Sequence, residues 1–152
     1  MPAEGGVPGD LDPLPSSFLE RLGNQEEILV SSRDHSGQGT VRMWFAVIPP
    51  GYIYLLTPTY TRKAERWRDD PWVRFRIPGT DSTQEGVVSA IGWDEARLSA
   101  DQLTRSFAMA GAATEEALRW MLQDGSRQLL KAGVSRGSES DGRGLVQPQD
   151  AG

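Results

Sequence analysis

The alternation of apolar and polar positions divides the chain into a strand-rich first half and a helix-rich second half. Ile28 to Ser32 reads as a strand, and Asp34–Gly39 as a turn or loop. Val41, Met43, Phe45 and Val47 alternate with Arg42, Trp44, Ala46 and Ile48, which predicts a strand with both faces mostly covered. Pro49-Pro50-Gly51 supplies a turn into a further strand over Tyr52–Thr57, so the two form a hairpin. Trp72 to Ile77 alternates again, with Val73, Phe75 and Ile77 on one side. After a polar loop over Pro78–Gly86, Val87 to Trp93 is the fifth candidate strand, bent at Gly92.

Helix signals bracket these strands. Ser17 and Glu20 match a capping box, with Gly23 as the stop. Thr61 can cap a helix to about Asp69, closed by Asp70-Pro71. Ser99 and Gln102 form a second box, opening a helix to about Met109. Thr114 caps another, in which Ala117, Leu118, Met121 and Leu122 make an apolar stripe. Leu129-Leu130 reads as a last helical piece before Gly133. Strands first and helices after predict an α+β, mainly β domain built on a small antiparallel sheet or barrel.

The ends differ in composition. Residues 1–15 hold four prolines and three glycines, and residues 133–152 hold five glycines and three serines. Such segments bury too little apolar surface to offset the entropy of ordering. They predict a flexible arm and a disordered tail around a domain spanning 16–132. The start lacks the basic and apolar stretches of a secretion signal, which points to a cytoplasmic protein. No apolar run reaches membrane-spanning length, so no membrane partner is expected.

Composition removes several chemistries. Cysteine is absent and His35 is the one histidine, so thiolate sites, cysteine nucleophiles and multi-histidine metal centres are excluded, and no metal site is expected. His35 reads as an exposed loop residue. With Ser31 and Ser32 beside it and no nucleophile elbow, a hydrolase is not indicated. Gly37 and Gly39 are not a dinucleotide fingerprint, because no helix follows at the required spacing.

The formal net charge of −5 argues against a generally basic nucleic-acid binder. Partition changes its meaning, because residues 16–132 carry 14 basic against 15 acidic side chains. Within that near-neutral core, residues 62–76 hold six basic side chains against three acidic ones. Arg62 and Lys63 fall in the first turn of the helix capped by Thr61, where the dipole disfavours cations. Free N–H groups, hydroxyls and two cations at a helix start suit a phosphate. A solvated helix face, with Arg62 paired to Glu65, is the plainer alternative.

The segment from Tyr52 to Pro71, YIYLLTPTYTRKAERWRDDP, resembles the pyridoxamine 5'-phosphate oxidase-like, FMN-binding split barrels. Those proteins show an apolar strand ending in Thr, then Ser or Thr with Arg-Lys-Ala, then Asn-Pro or Asp-Pro after the helix. Arg42-Met-Trp-Phe45 matches the preceding strand, and the likeness extends over roughly residues 25–110. It implies an antiparallel split β-barrel with flanking and C-terminal helices, and a homodimer with the flavin at its interface. It further implies that Arg62 and Lys63 hold the FMN phosphate with Thr61 and help from Arg42. Leu56 and Thr57 would contact the cofactor, and Met43, Trp44 and Phe45 would line its ring. Related branches bind a deazaflavin, haem or no cofactor.

The departures narrow the activity. Val47 stands where the vitamin-forming oxidases carry lysine, and Val87 replaces their flavin-reaching glutamine, with Gln84 nearby. Arg105 and Phe107 do not reproduce their tyrosine-and-arginine cluster, and the C-terminal Arg–x–His pair is missing. Vitamin B6 oxidation is therefore not expected. The reading favoured is a flavin-dependent oxidoreductase using a reduced nicotinamide and a small acceptor. A non-catalytic cofactor-binding or sensing module is the alternative. A small barrel binding single-stranded nucleic acid through Arg42, Trp44, Arg74 and Arg76 ranks third.

Overall fold

A computed structural model of the chain describes residues 11–136, so residues 1–10 of the arm expected over 1–15 and residues 137–152 of the tail expected over 133–152 lie outside the described residues. Eight strands form one antiparallel sheet: β1 (Leu11–Asp12), β2 (Glu27–Asp34), β3 (Gly37–Trp44), β4 (Ala46–Ile48), β5 (Tyr52–Pro58), β6 (Trp72–Arg76), β7 (Thr83–Ile91) and β8 (Arg127–Ser135). Their order is β3-β2-β6-β7-β8-β5-β4, with β1 paired to β8. Strands β3 and β4 lie at opposite ends of this order, yet Phe45 is the one residue between them. A sheet whose two edges are joined by a single residue must curl until those edges meet there. The result is a barrel that does not close, the split-barrel α+β fold expected.

Two cores sit on the two faces of this curled sheet. The barrel interior packs Ile28, Val30, Met43, Phe45, Ile53, Leu55, Val73, Phe75, Val88 and Leu130, and helix α1 (Ser16–Leu22) plugs it with Phe18 and Leu22. The second core lies outside the sheet. There Tyr54, Leu56 and Leu129 meet Leu103, Phe107 and Leu118 from α4 (Ala100–Ser106), α5 (Glu115–Gln123) and the turn between them. Alternation along β5 therefore sends Ile53 and Leu55 inward and Tyr54 and Leu56 to the helices, leaving no solvent side.

Several expectations are corrected. Leu129-Leu130 is not helical: both leucines lie in β8, bonded to β5 on one side and β7 on the other. A short apolar run carries no period that separates a buried strand from a buried helix, and two partner strands decided it. The strand continues through Gly133 to Ser135, into the segment expected as tail, while Leu11 and Leu14 of the expected arm are buried. Strand β3 is covered on only part of its surface, because it is an edge strand with Val41 and Trp44 exposed.

The Ser17 capping box is absent, since α1 begins at Ser16 after Pro15 and makes no side-chain cap. Ser99 likewise makes no cap, and Gln102 instead donates to the Val47 carbonyl at 2.6 Å. The helix expected from Ser99 to Met109 is α4 followed by a 3-10 turn over Ala108–Ala110. A further short helix, α3 (Trp93–Ala96), occupies the end of the fifth candidate strand. The polar loop expected to Gly86 ends at Ser82, and β7 starts at Thr83. Among the described residues no helix is long and apolar enough to cross a membrane.

Candidate functional site

Helix α2 (Arg62–Asp69) starts where β5 ends, and its local sequence fixes that start. Thr61 Oγ1 accepts from the Ala64 N–H at 3.4 Å and donates to the Pro58 carbonyl at 2.9 Å. Ala64 and Trp67 form the buried face, and Trp67 Nε1 donates to the Trp72 carbonyl at 3.1 Å, which ties the helix to β6. With that face inward, Arg62, Lys63 and Arg66 stand on the flank facing the β2–β3 hairpin.

The plainer pairing of Arg62 with Glu65 is not formed. Asp34, at the end of β2, takes its place: its Oδ2 accepts from Arg66 Nε at 2.9 Å and from Arg62 Nη2 at 3.4 Å. Its Oδ1 accepts from the Ser36 hydroxyl at 2.6 Å and the Ser36 N–H at 2.9 Å. The Ser36 hydroxyl foremost, and then Arg66, hold the Asp34 carboxyl far below the usual carboxylate range. Lys63 is half-buried, and burial pushes its ammonium down from the ordinary lysine value.

Two clefts share Lys63 in their linings. One, of about 280 Å³, is lined by Ser32, Gly39, Thr40 and Val41 of the hairpin and by Thr61, Arg62, Lys63 and Arg66. Six of these eight residues carry a hydroxyl or a cation. The other, of about 340 Å³, is lined by Met43, Leu56, Pro58, Phe107 and Ala110 together with Glu27, Arg42, Trp44, Lys63 and Arg127. That second cleft lies between the end of β3 and the end of β5, with the turn after α4 beside them.

Seven of the nine expected site residues fall in these clefts. Thr61, Arg62 and Lys63 line the cationic one, and Arg42, Met43, Trp44, Leu56 and Lys63 the apolar one. Phe45 and Thr57 line neither: Phe45 packs in the barrel interior, and Thr57 is fully buried with its hydroxyl 3.4 Å from that of Thr61. Arg42 does not line the cationic cleft; it lines the apolar one together with Lys63, its guanidinium 3.7 Å from a Glu27 carboxylate oxygen. Arg66 was not among the expected residues, although its spacing from Arg62 and Lys63 places all three on one helix flank. Phe107 and Ala110 had no signal, because only packing of α4 brings them to β5.

The nucleic-acid alternative gains a shared face but little free charge. Register places Arg42 and Arg76 on either side of Leu29, Arg74 beside Ser31, and Trp44 opposite Glu27. Yet Arg74 donates to Gln38 and Arg76 to the Thr80 carbonyl, and Glu27 and Glu85 interrupt the row. The face is a mixed one, with Trp72 covered by the guanidinium groups of Arg33 and Arg74 at 4.6 and 5.5 Å. Among the described residues no cluster of acidic or histidine side chains could hold a metal ion.

No family model and no curated protein matches the chain in sequence. Solved structures match its fold. A protein of unknown function from Agrobacterium tumefaciens is 17% identical with a TM-score of 0.58, over 79% of this chain and 54% of that one, so the chain spans about half of that relative's length. An FAD-binding protein from Mesorhizobium loti is 12% identical with a TM-score of 0.55, over 83% of this chain and 92% of its own. A candidate pyridoxamine 5'-phosphate oxidase from Listeria innocua is 18% identical with a TM-score of 0.51, over 77% and 90%. At these identities the likeness is one of fold.

Proposed function

We propose that this chain is a flavin-binding split-barrel protein, with FMN as the cofactor and flavin-dependent oxidoreduction as its activity. One observation carries the reading: a cleft lined by three cations and three hydroxyl-bearing residues shares Lys63 with a second cleft built largely on apolar side chains, the two chemistries that a ligand with a phosphate at one end and a flat ring at the other would need. Arg62, Lys63 and Arg66 would hold the phosphate with the Thr61 and Thr40 hydroxyls. Met43, Leu56 and Phe107 would pack the ring, with Trp44 and Arg42 at its edge. The residues present fit the group, since each of its two chemistries meets a matching lining. When bound, the flavin would carry a hydride between a reduced nicotinamide and a small acceptor.

A homodimer is part of this proposal. Both clefts are lined by residues of β3, an edge strand that exposes Val41 and Trp44. A second copy placed there would cover the ring and exclude water from it. The fold likeness to an FAD-binding protein supports the flavin class.

The absorption spectrum of protein purified from a flavin-replete host tests the reading. A flavin spectrum is expected, whereas a deazaflavin or haem spectrum would replace FMN by that ligand. Colourless protein that also fails to bind added FMN would overturn the proposal. Charge reversal at both Arg62 and Lys63 is expected to weaken FMN binding by at least on the order of 100-fold, because two charge-assisted contacts become repulsive.

A further inference from the structure

Asp34 contacts two of the three cations that line the cationic cleft, Arg62 and Arg66, so a phosphate bound there would compete with it for them. Its two oxygens have separate partners, Oδ1 facing Ser36 and Oδ2 facing both arginines. The two arginine contacts are unequal. Arg66 is held at 2.9 Å with its side chain 14% exposed, and its guanidinium lies against Gly39 so closely that a β-carbon there would collide with Nη1. Arg62 is held at only 3.4 Å with its side chain 68% exposed. One carboxylate oxygen therefore fixes one arginine and only tethers the other.

Charge explains why such a group is needed. Arg62, Lys63 and Arg66 stand together on the helix, and the first two lie at its positive end, so without an anion they repel one another and the dipole. Asp34 supplies a built-in negative charge, and its hydrogen bonds to Ser36 keep it in place whether or not the arginines stay.

We propose that Asp34 is the resident counter-ion of the cationic cleft, keeping Arg66 fixed while yielding Arg62 to an incoming phosphate, and so selecting a doubly charged phosphate monoester. The inference rests on the flavin reading and extends it to specificity. Three cations lining the cleft, less the one carboxylate bound to two of them, leave a balance of two positive charges. A phosphate monoester carries about −1.5 to −2 at neutral pH and matches that balance. A singly charged phosphodiester leaves it unmatched, and a flavin without phosphate draws nothing from it.

Fluorescence titration of FMN and riboflavin into wild type, Asp34→Asn and Ser36→Ala tests this. Asp34→Asn removes the competing charge, so FMN should bind tighter by on the order of tenfold, with riboflavin unchanged. The same variant should melt at a lower temperature without ligand, since the cations lose their counter-ion. Ser36→Ala, in an exposed turn, leaves the carboxylate more dependent on the arginines, so FMN should bind several-fold more weakly.

Equal FMN affinity in wild type and Asp34→Asn, or parallel loss of FMN and riboflavin, overturns the role. If Asp34→Asn does not fold, Ser36→Ala decides, and FMN binding that is unchanged or tighter there overturns it. Wild-type protein that binds neither flavin overturns the flavin reading instead. Thermal shifts with inorganic phosphate then judge Asp34 separately: a larger shift in Asp34→Asn supports the counter-ion, and an equal one overturns it.

Discussion

Strands β5 and β3 are both near the candidate site, but they are buried in opposite ways. Five consecutive residues of β5, Ile53–Thr57, are buried, whereas Met43 is the one buried residue among the eight of β3. The difference follows from what lies on each side. Strand β5 separates the barrel interior from the helix layer, so both of its side-chain rows face apolar neighbours. Strand β3 is an edge, with one row turned to solvent and the hairpin flank turned to α2. The clefts form where these regimes adjoin: Leu56 and Phe107 come from the doubly covered half, and Thr40, Arg42 and Trp44 from the edge. Rigid packing holds one wall, and the edge supplies polar groups that a buried strand could not carry without partners.

Mutations in the two halves should sharpen or break this contrast. Leu130 is 2% exposed and sits in β8 between β5 and β7, so Leu130→Ala is expected to cost about 2–5 kcal/mol in denaturant unfolding. Gly133→Ala should come next, at about 1–3 kcal/mol, because its β-carbon would stand 2.5 Å from the Asp12 carbonyl, a backbone atom that cannot move aside. Gly39→Ala meets only the tip of the Arg66 side chain. It should cost less stability while displacing Arg66, which FMN titration would register as weaker binding. At the small end, Val41→Thr, at a position 41% exposed, should change stability by no more than about 0.5 kcal/mol. Similar costs for Leu130→Ala and Val41→Thr would refute the contrast.

The halves should also separate by pH. Tyr54, on the helix side of β5, has its hydroxyl pushed up to about 12 by burial foremost and then by Glu95. The folded state therefore holds that proton more tightly than the unfolded chain, whose tyrosine ionises near 10. The resulting stability is complete below about pH 10 and is lost as pH rises toward 12. Tyr54→Phe should flatten that alkaline limb in pH-dependent melting. Asp34 and Asp70, on the other half, have lowered carboxyls, Asp34 through Ser36 first and Asp70 through Arg33 first. Their contribution is present above about pH 4 and is lost as pH falls below it, so Asp34→Asn should flatten the acid limb instead.

Much of this organisation was legible in the residues. The hairpin around Pro49-Pro50-Gly51, the helix opened by Thr61 and the helix opened by Thr114 stand where local signals put them. Each rests on a turn or a cap that acts within a few residues: Thr114 accepts from the Ala117 N–H at 3.1 Å, as a cap should. The cations of the site were legible for the same reason, because Arg62 and Lys63 follow a cap. Strand β8 was not legible, since Leu129 and Leu130 are compatible with either element until β5 and β7 flank them. Neither was Asp34, which lies 28 residues from Arg62 and reads as part of a turn.

The sequence by itself determined the strand-then-helix order, the caps, and a concentration of positive charge at one helix start, because those depend on neighbours along the chain. Only the tertiary structure decided that the sheet curls until β3 meets β4, that Phe45 turns into the core, and that Asp34 rather than Glu65 answers Arg62 and Arg66. It also brought Phe107 against Leu56 and so made the apolar cleft. Those outcomes depend on which surfaces are left to cover one another once the strands have paired, and no pattern along the chain carries that information.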